Sequence, residues 1–292
     1  MSIDSPLLPV VQLLQFFRTD ARDLPWRRAD AGAWGVLVSE FMLQQTPVTR
    51  VLPVYESWLQ RWPSPAALAA DAPGDAIRAW GRLGYPRRAL RLHAAATQIV
   101  IRHAGAVPVT VEDLLALPGV GDYTARAVAA FAHRQRVPVV DTNVRRVLNR
   151  ILRGNDDAGP ATAEDRALLE PLLPVEPAAA AELSAALMEL GATVCTSVRP
   201  RCDECPVREH CRWLADGRPT RTVHAVKQTW HGTDRQVRGK VLALLRATTG
   251  AVTADEVAAV WPDAEQLQRC LRSLIADRLL ARTPEDTFVL PS

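Results

Sequence analysis

A mainly α-helical protein of two or three modules is what these 292 residues predict, on three observations. Apolar residues recur at three- and four-residue spacing through residues 7–215, as at Leu68, Ile77 and Trp80 and again at Leu183, Leu187 and Leu190. Alanine is abundant and favours helix, while prolines at 47, 53, 63, 73, 86, 118 and 138, among others, cut the pattern into short pieces. No strand-like alternation precedes residue 220. The balance of 48% hydrophobic and 23% charged residues is that of a globular chain and excludes a collagen-like or broadly disordered one.

Taken in order, Leu7–Phe17 is apolar enough to raise a signal peptide. However, Asp4 stands where basic residues belong, and no small-residue cleavage pattern follows before Arg18 and Arg22. An amphipathic opening helix and a cytosolic protein with reduced thiols are expected. No apolar run reaches the roughly 18 residues of a membrane span. The run Val36-Leu37-Val38-Ser39-Glu40-Phe41-Met42-Leu43 reads as a helix that places Val36, Glu40 and Leu43 on one face. A carboxyl there is partly desolvated, which favours the neutral acid and prepares it to donate a proton. The competing reading is a buried glutamate in a structural hydrogen bond.

Residues 111–133 read as helix, Leu117-Pro118-Gly119-Val120-Gly121, then helix. Gly119 and Gly121 remove side chains where the second helix, starting near Asp122, presents free N–H groups, a combination suited to a phosphate or simply to a tight turn. Asp141 follows Val137-Pro138-Val139-Val140 and precedes a helical run, so by position it is first a helix N-cap. One oxygen can cap while the other faces a substrate.

Four of the five cysteines, Cys195, Cys202, Cys205 and Cys211, fall in a C-x6-C-x2-C-x5-C pattern able to converge on one metal centre. Zinc prefers two short paired loops, and only Cys202 and Cys205 form one; an iron–sulfur cluster suits the longer spacers better. His210 replaces one ligand in a zinc reading, and free thiols or disulfides are the bland alternative. Cys270 lies alone on an apolar helical face and reads as a core thiol.

Residues 216–233 read as a linker. Beyond it, Val237–Leu245, Ala254–Val260 and Leu267–Leu280 read as three helices, followed by a hairpin about Pro284-Glu285-Asp286. This is a small winged-helix-like unit, residues 234–292. Charge is uneven: Arg199–Arg246 holds eleven basic against five acidic residues in a chain whose net charge is +3. Such a stretch fits a polyanionic partner or a solvated surface run.

Several separated motifs together resemble one family: Leu24-Pro25-Trp26-Arg27, the Ser39–Thr46 run, Leu83-Gly84-Tyr85, the Leu117–Ala125 hairpin, Val140-Asp141-Thr142-Asn143 and the cysteine spacing. Over about residues 20–215 the chain resembles the helix–hairpin–helix DNA glycosylases with an iron–sulfur cluster, specifically the adenine glycosylases of A/G mismatches (MutY type). Its short C-terminal region is similar to the actinobacterial variety.

The resemblance implies two helical lobes with DNA between them: a six-helix barrel at residues 30–136, and a lobe of residues 1–29 plus 137–215 holding a structural [4Fe-4S] cluster on the four cysteines. It implies a monomer acting on double-stranded DNA with A:8-oxoguanine or A:G mispairs. Glu40 is implied as the acid that protonates adenine at N7, and Asp141 as the carboxylate that steadies the oxocarbenium sugar. Tyr123 and Asn143 are implied to orient sugar and nucleophile. Tyr123 stands where the endonuclease III type has a Schiff-base lysine, which implies a monofunctional glycosylase.

Arg27 and Leu43 are implied to line the adenine pocket. Gln44, Gln45, Thr46, Leu83 and Tyr85 are implied to meet the duplex gap or the opposite guanine, and Gly119, Gly121, Arg199 and Arg201 the phosphates. Two departures stand out: residues 234–292 are too few for the MutT-like domain of longer members, and Thr142 replaces a common glycine. Two other readings compete, a mismatch thymine or uracil glycosylase and a non-catalytic iron–sulfur DNA-binding regulator.

Overall fold

A computed structural model describes residues 8–157, 159–219 and 230–292. α1 (Val10–Asp20) buries Leu13 and Phe16. α2 (Gly32–Leu43) has every residue of Val36–Met42 buried, as a helix without a solvent face must. α3 (Val48–Arg61), α4 (Pro65–Ala70) and α5 (Pro73–Trp80) follow. The prolines that punctuate the sequence open α4 and α5, at a position where a missing N–H costs no hydrogen bond. α6 (Arg87–His103) ends on the left-handed Ala104.

α7 (Val111–Leu115) and α8 (Asp122–Phe131) flank the glycine turn. α9 (Thr142–Leu148) continues into a wider π turn, Asn149–Arg153. α10 (Ala163–Leu169) opens on a reciprocal Thr162–Asp165 capping box. α11 (Pro177–Thr193) and the short α12 (Arg212–Ala215) bracket the cysteine loops.

The C-terminal helices are α13 (Asp234–Ala247), α14 (Ala254–Ala258) and α15 (Ala264–Ala276). With them goes a three-stranded antiparallel sheet of β1 (Val252–Thr253), β2 (Ala281–Arg282) and β3 (Thr287–Val289), in the order β1-β3-β2. The hairpin read from the sequence is β2–β3. β1 adds a third strand, with Val252 opposite Phe288, and at two residues it is too short to show any alternation. The third helix starts at Ala264, three residues before the expected Leu267, because the Asp263 side chain caps it. Of the expected linker, residues 220–229 lie outside the described residues.

The chain divides into two compact units. Among the described residues the first takes 8–36, 109–115 and those within 120–224, and the second takes 37–108, 116–119 and 230–292. In the first, α1, α9 and α11 share a core that includes Leu13, Val144, Val147, Leu183 and Leu187. In the second, Trp58 meets Trp62 and Trp80 edge-on at ring distances of 4.6 and 5.6 Å. No helix among the described residues is long and apolar enough to cross a membrane.

One buried charge fixes the N-terminal segment of the first unit. Glu189, on α11, has a side chain with no exposure and receives Arg22 Nε at 2.6 Å and Arg27 Nη2 at 2.7 Å. Burial alone would raise this carboxyl, but the hydrogen bonds and charges of the two arginines outweigh it and bring it down to about 2. Its folded-state value lies below its unfolded one. The stability it adds is therefore complete above about pH 4.5 and is lost as the pH falls toward 2. Glu189→Gln is expected to cost about 1.5–3 kcal/mol at neutral pH and to flatten the decline in melting temperature across that acid window. Thermal denaturation at stepped pH checks both.

Candidate active site

Within the first unit the sequence Val140-Asp141-Thr142-Asn143 builds a held carboxylate. Asp141 is the N-cap of α9: Oδ1 accepts the Val144 N–H at 2.7 Å, and Oδ2 accepts Asn143 Nδ2 at 2.8 Å. Arg146 Nη2 donates to Asn143 Oδ1 at 2.8 Å and to the Gly191 carbonyl at 2.7 Å, while its Nε donates to the Cys195 carbonyl at 2.8 Å. Gly191 lies so close to Asn143 that a Cβ would sit 2.8 Å from the asparagine's own Cβ. Burial pushes the Asp141 carboxyl above its ordinary value, and the hydrogen bonds from Val144 and Asn143 pull it back. The cap that position predicts is present, and the second oxygen is held by Asn143. Tyr123 packs against Ala127, Ala130, Val139 and Ala181, with its hydroxyl 3.9 Å from Met188 Sδ.

The four cysteines form no disulfide, are partly buried, and all line one cavity together with Arg150 and Trp213. Arg150 is almost wholly buried. Its Nη1 donates to Cys195 Sγ at 3.2 Å and to the Thr196 carbonyl at 2.8 Å, and its guanidinium stacks on Trp213 at 4.3 Å. Burial pushes the Cys205 thiol up to about 11, and the neighbouring cysteines add to the rise. Among the described residues no group of three or more His, Cys, Asp or Glu is set to hold one metal ion. Four soft thiols around one shared cavity fit an iron–sulfur cluster.

Arg201, by contrast, is occupied by Glu204 at 2.6 Å and by the Thr193 carbonyl, while Arg199 is exposed. Arg27, read as pocket lining, is committed to Glu189. Arg146 and Arg150 escaped the sequence reading. Their signal was present: two arginines four apart on the helix that Asp141 starts, hence on one face.

In the second unit Glu40 is 6% exposed, enclosed by buried residues of its own helix. The helix ends at Leu43, and the carbonyls left without partners there converge on one guanidinium. Arg88 Nη1 donates to the carbonyls of Phe41 at 2.9 Å, Met42 at 3.0 Å and Gln44 at 2.5 Å. Its Nη2 reaches Thr46 Oγ1 at 2.9 Å and the Gly84 carbonyl at 3.1 Å. Arg88 thereby joins the Leu43–Thr46 turn to the Leu83–Tyr85 loop.

Gln45 and Tyr85 are exposed, both with left-handed backbones, and Leu43 and Gln44 are half-buried. Leu83, expected at a duplex gap, is 2% exposed and supports the loop from within. Gly119 has φ +81 and packs on Arg91, where a Cβ would meet the arginine's Cβ at 2.6 Å, so close packing is its first requirement. At Gly121, the N-cap position of α8, the space is open.

Comparison with known proteins supplies the class. Residues 38–172 match the family described as HhH-GPD superfamily base excision DNA repair protein, and residues 195–211 match the iron–sulfur binding domain of endonuclease III. The adenine DNA glycosylase of Mycolicibacterium smegmatis is 52% identical over 281 residues, 96% of this chain and 95% of its own. That of Mycobacterium tuberculosis is 52% identical over 287 residues, covering 96% and 92%. A solved thermostable thymine-DNA glycosylase superposes with a TM-score of 0.64 at 27% identity, over 71% of this chain and 95% of its own. The chain belongs to the adenine DNA glycosylase family of the HhH-GPD superfamily, and its four cysteines form the iron–sulfur segment.

Purified protein is therefore expected to be brown, with iron and acid-labile sulfide near four of each per chain. Elemental analysis showing stoichiometric zinc instead would contradict the assignment.

Proposed function

We propose that the protein removes adenine mispaired with 8-oxoguanine or guanine in double-stranded DNA, as a cytosolic, monomeric base excision repair enzyme. One observation carries the reading: the 52% identity with proteins named adenine DNA glycosylase runs through almost the whole chain, including the short C-terminal region.

The chemistry asked of the residues is specific. An adenine in the stack is out of reach, so it must first be turned out of the duplex. Glu40 protonates the base at N7, turning a poor anionic leaving group into a neutral one. Asp141 works ionised: it steadies the positive charge that develops on the sugar as the N-glycosidic bond breaks. The hydrogen bonds from Val144 and Asn143 support that role, because both favour the charged form against the cost of burial. Tyr123 and Asn143 orient the sugar and the attacking water. Tyr123 has no amine, so no Schiff base forms and the abasic strand is left uncut. The [4Fe-4S] cluster on Cys195, Cys202, Cys205 and Cys211 supplies no proton or electron to this reaction; when bound it fixes the loops between its ligands. Gln45 and Tyr85, exposed on the turn and loop that Arg88 ties together, are the residues proposed for the strand opposite the flipped base, and Arg199 and Gly121 for phosphates.

A mismatch thymine glycosylase is the second reading, favoured by the thymine-DNA glycosylase superposition. Duplexes with A opposite 8-oxoguanine, G or C, and T opposite G, separate the two: release of thymine but not adenine reverses the order. Glu40→Gln is expected to fold and bind DNA but to slow adenine release by at least about 10²-fold in single turnover. Asp141→Asn is expected to lose activity comparably and to lower the melting temperature as well, since the weaker cap costs about 1 kcal/mol.

A further inference from the structure

We infer that the C-terminal elements complete a strand-binding surface at the Leu83–Tyr85 loop, in which Arg235, within reach of the rings of both Tyr85 and Trp230, joins them in taking an unstacked DNA base on the strand opposite the excised one. The inference rests on the proposed action on mispaired DNA and names a recognition element for it.

The C-terminal elements are fastened to the helices that carry this loop. Arg78 Nη1 donates to the carbonyls of Leu245 at 3.2 Å, Arg246 at 2.5 Å and Thr248 at 2.8 Å, closing the C-terminal end of α13. Asp277 receives Arg87 at 2.9 Å and Arg238 at 2.6 Å, one guanidinium from each side of the junction. The Gly74 N–H donates to the Pro291 carbonyl at 2.7 Å.

This docking places the first turn of α13 beside Tyr85. The Arg235 guanidinium lies 5.5 Å from the Tyr85 ring and 5.3 Å from the Trp230 ring. Both rings are about half exposed, at 48% and 47%. Tyr85 also has the Arg88 guanidinium 5.4 Å from its ring centre, and it keeps a left-handed backbone with φ 47° that few non-glycine residues adopt. Two half-exposed rings sharing one guanidinium offer π surface to a base whatever its identity.

The surrounding charge selects a polyanion. Arg50 and Arg82 are exposed, and Arg50 donates to the Arg82 carbonyl. Arg246 lies near enough to Arg82 for their charges to repel. None of Arg50, Arg82, Arg235 and Arg246 is ion-paired with a carboxylate among the described residues. Arginines without a carboxylate partner, on the unit that carries the exposed rings, fit a nucleic-acid strand, whose phosphates neutralise them. The Tyr85 ring meets the same arginine that gathers the C-terminal carbonyls of the Glu40 helix, so the base it takes belongs to the duplex being processed.

The test is fluorescence anisotropy with a labelled duplex holding a non-cleavable adenosine analogue opposite 8-oxoguanine, beside a fully paired duplex. Arg235→Ala and Trp230→Ala are each expected to weaken binding to the mispaired duplex about tenfold, and the paired duplex less. Arg282→Ala removes one positive charge from an Asp286 pair in the same unit and serves as the charge control. Melting curves verify that each variant is folded. Variants binding as wild type, Arg235→Ala losing no more than Arg282→Ala, or equal losses on both duplexes would each overturn the inference. Adenine release by the wild type is measured in parallel, so a failed glycosylase reading shows itself separately from a failed binding surface.

Discussion

A carboxylate that must stay charged while partly withdrawn from water has to be held by donors, and Asp141 is held twice. One oxygen closes the N-terminus of α9 and the other takes the Asn143 amide, which is itself fixed by Arg146. Arg146 ends on the carbonyls of Gly191 and Cys195. The candidate catalytic carboxylate is thus three hydrogen bonds from the backbone of the first cluster ligand. Only a glycine at position 191 lets α11 approach Asn143 this closely, since a Cβ there would lie 2.8 Å from the asparagine's own Cβ. Loops ordered by an iron–sulfur cluster contribute rigidity to a reaction in which the cluster itself need not take part.

The second unit solves a similar problem with the opposite charge. Arg88 is buried, and burial lowers its guanidinium to about 10. It is kept there by carbonyl and hydroxyl acceptors and by the rings of Trp80 and Tyr85 at 5.3 and 5.4 Å. A guanidinium fork suits the task because several carbonyls converge from a helix end and a loop at once. Glu40 therefore lies on a helix whose C-terminus is held by Arg88, and the same guanidinium ties that end to the loop bearing Tyr85.

Much of this was legible in the sequence because the signals are local. Asp141 announces its cap by standing between an apolar extended run and a helix; the cysteines announce a metal centre by their spacing; Glu40 stands out by its apolar neighbours. What escaped was long-range. Arg27 and Glu189 are 162 residues apart, and no periodicity links them. Arg88 looks like a surface charge on an amphipathic helix, and only the packing turns it inward. Leu83 sits in a loop motif that reads as exposed, whereas the loop folds it under. The strand at Val252–Thr253 exists only because Phe288 and Thr287 supply its hydrogen bonds.

The proposed reaction needs Asp141 in its ionised form, favoured by the hydrogen bonds from Val144 and Asn143. The most direct measurement is the pH dependence of the single-turnover rate of adenine release, for the wild type and for Asn143→Ala. Loss of the amide that favours the charged carboxylate raises the pH at which Asp141 takes up its proton, so the acid limb of the profile is predicted to move to higher pH in the variant. An acid limb that stays in place, or a wild-type rate with no acid limb at all, would contradict the claim.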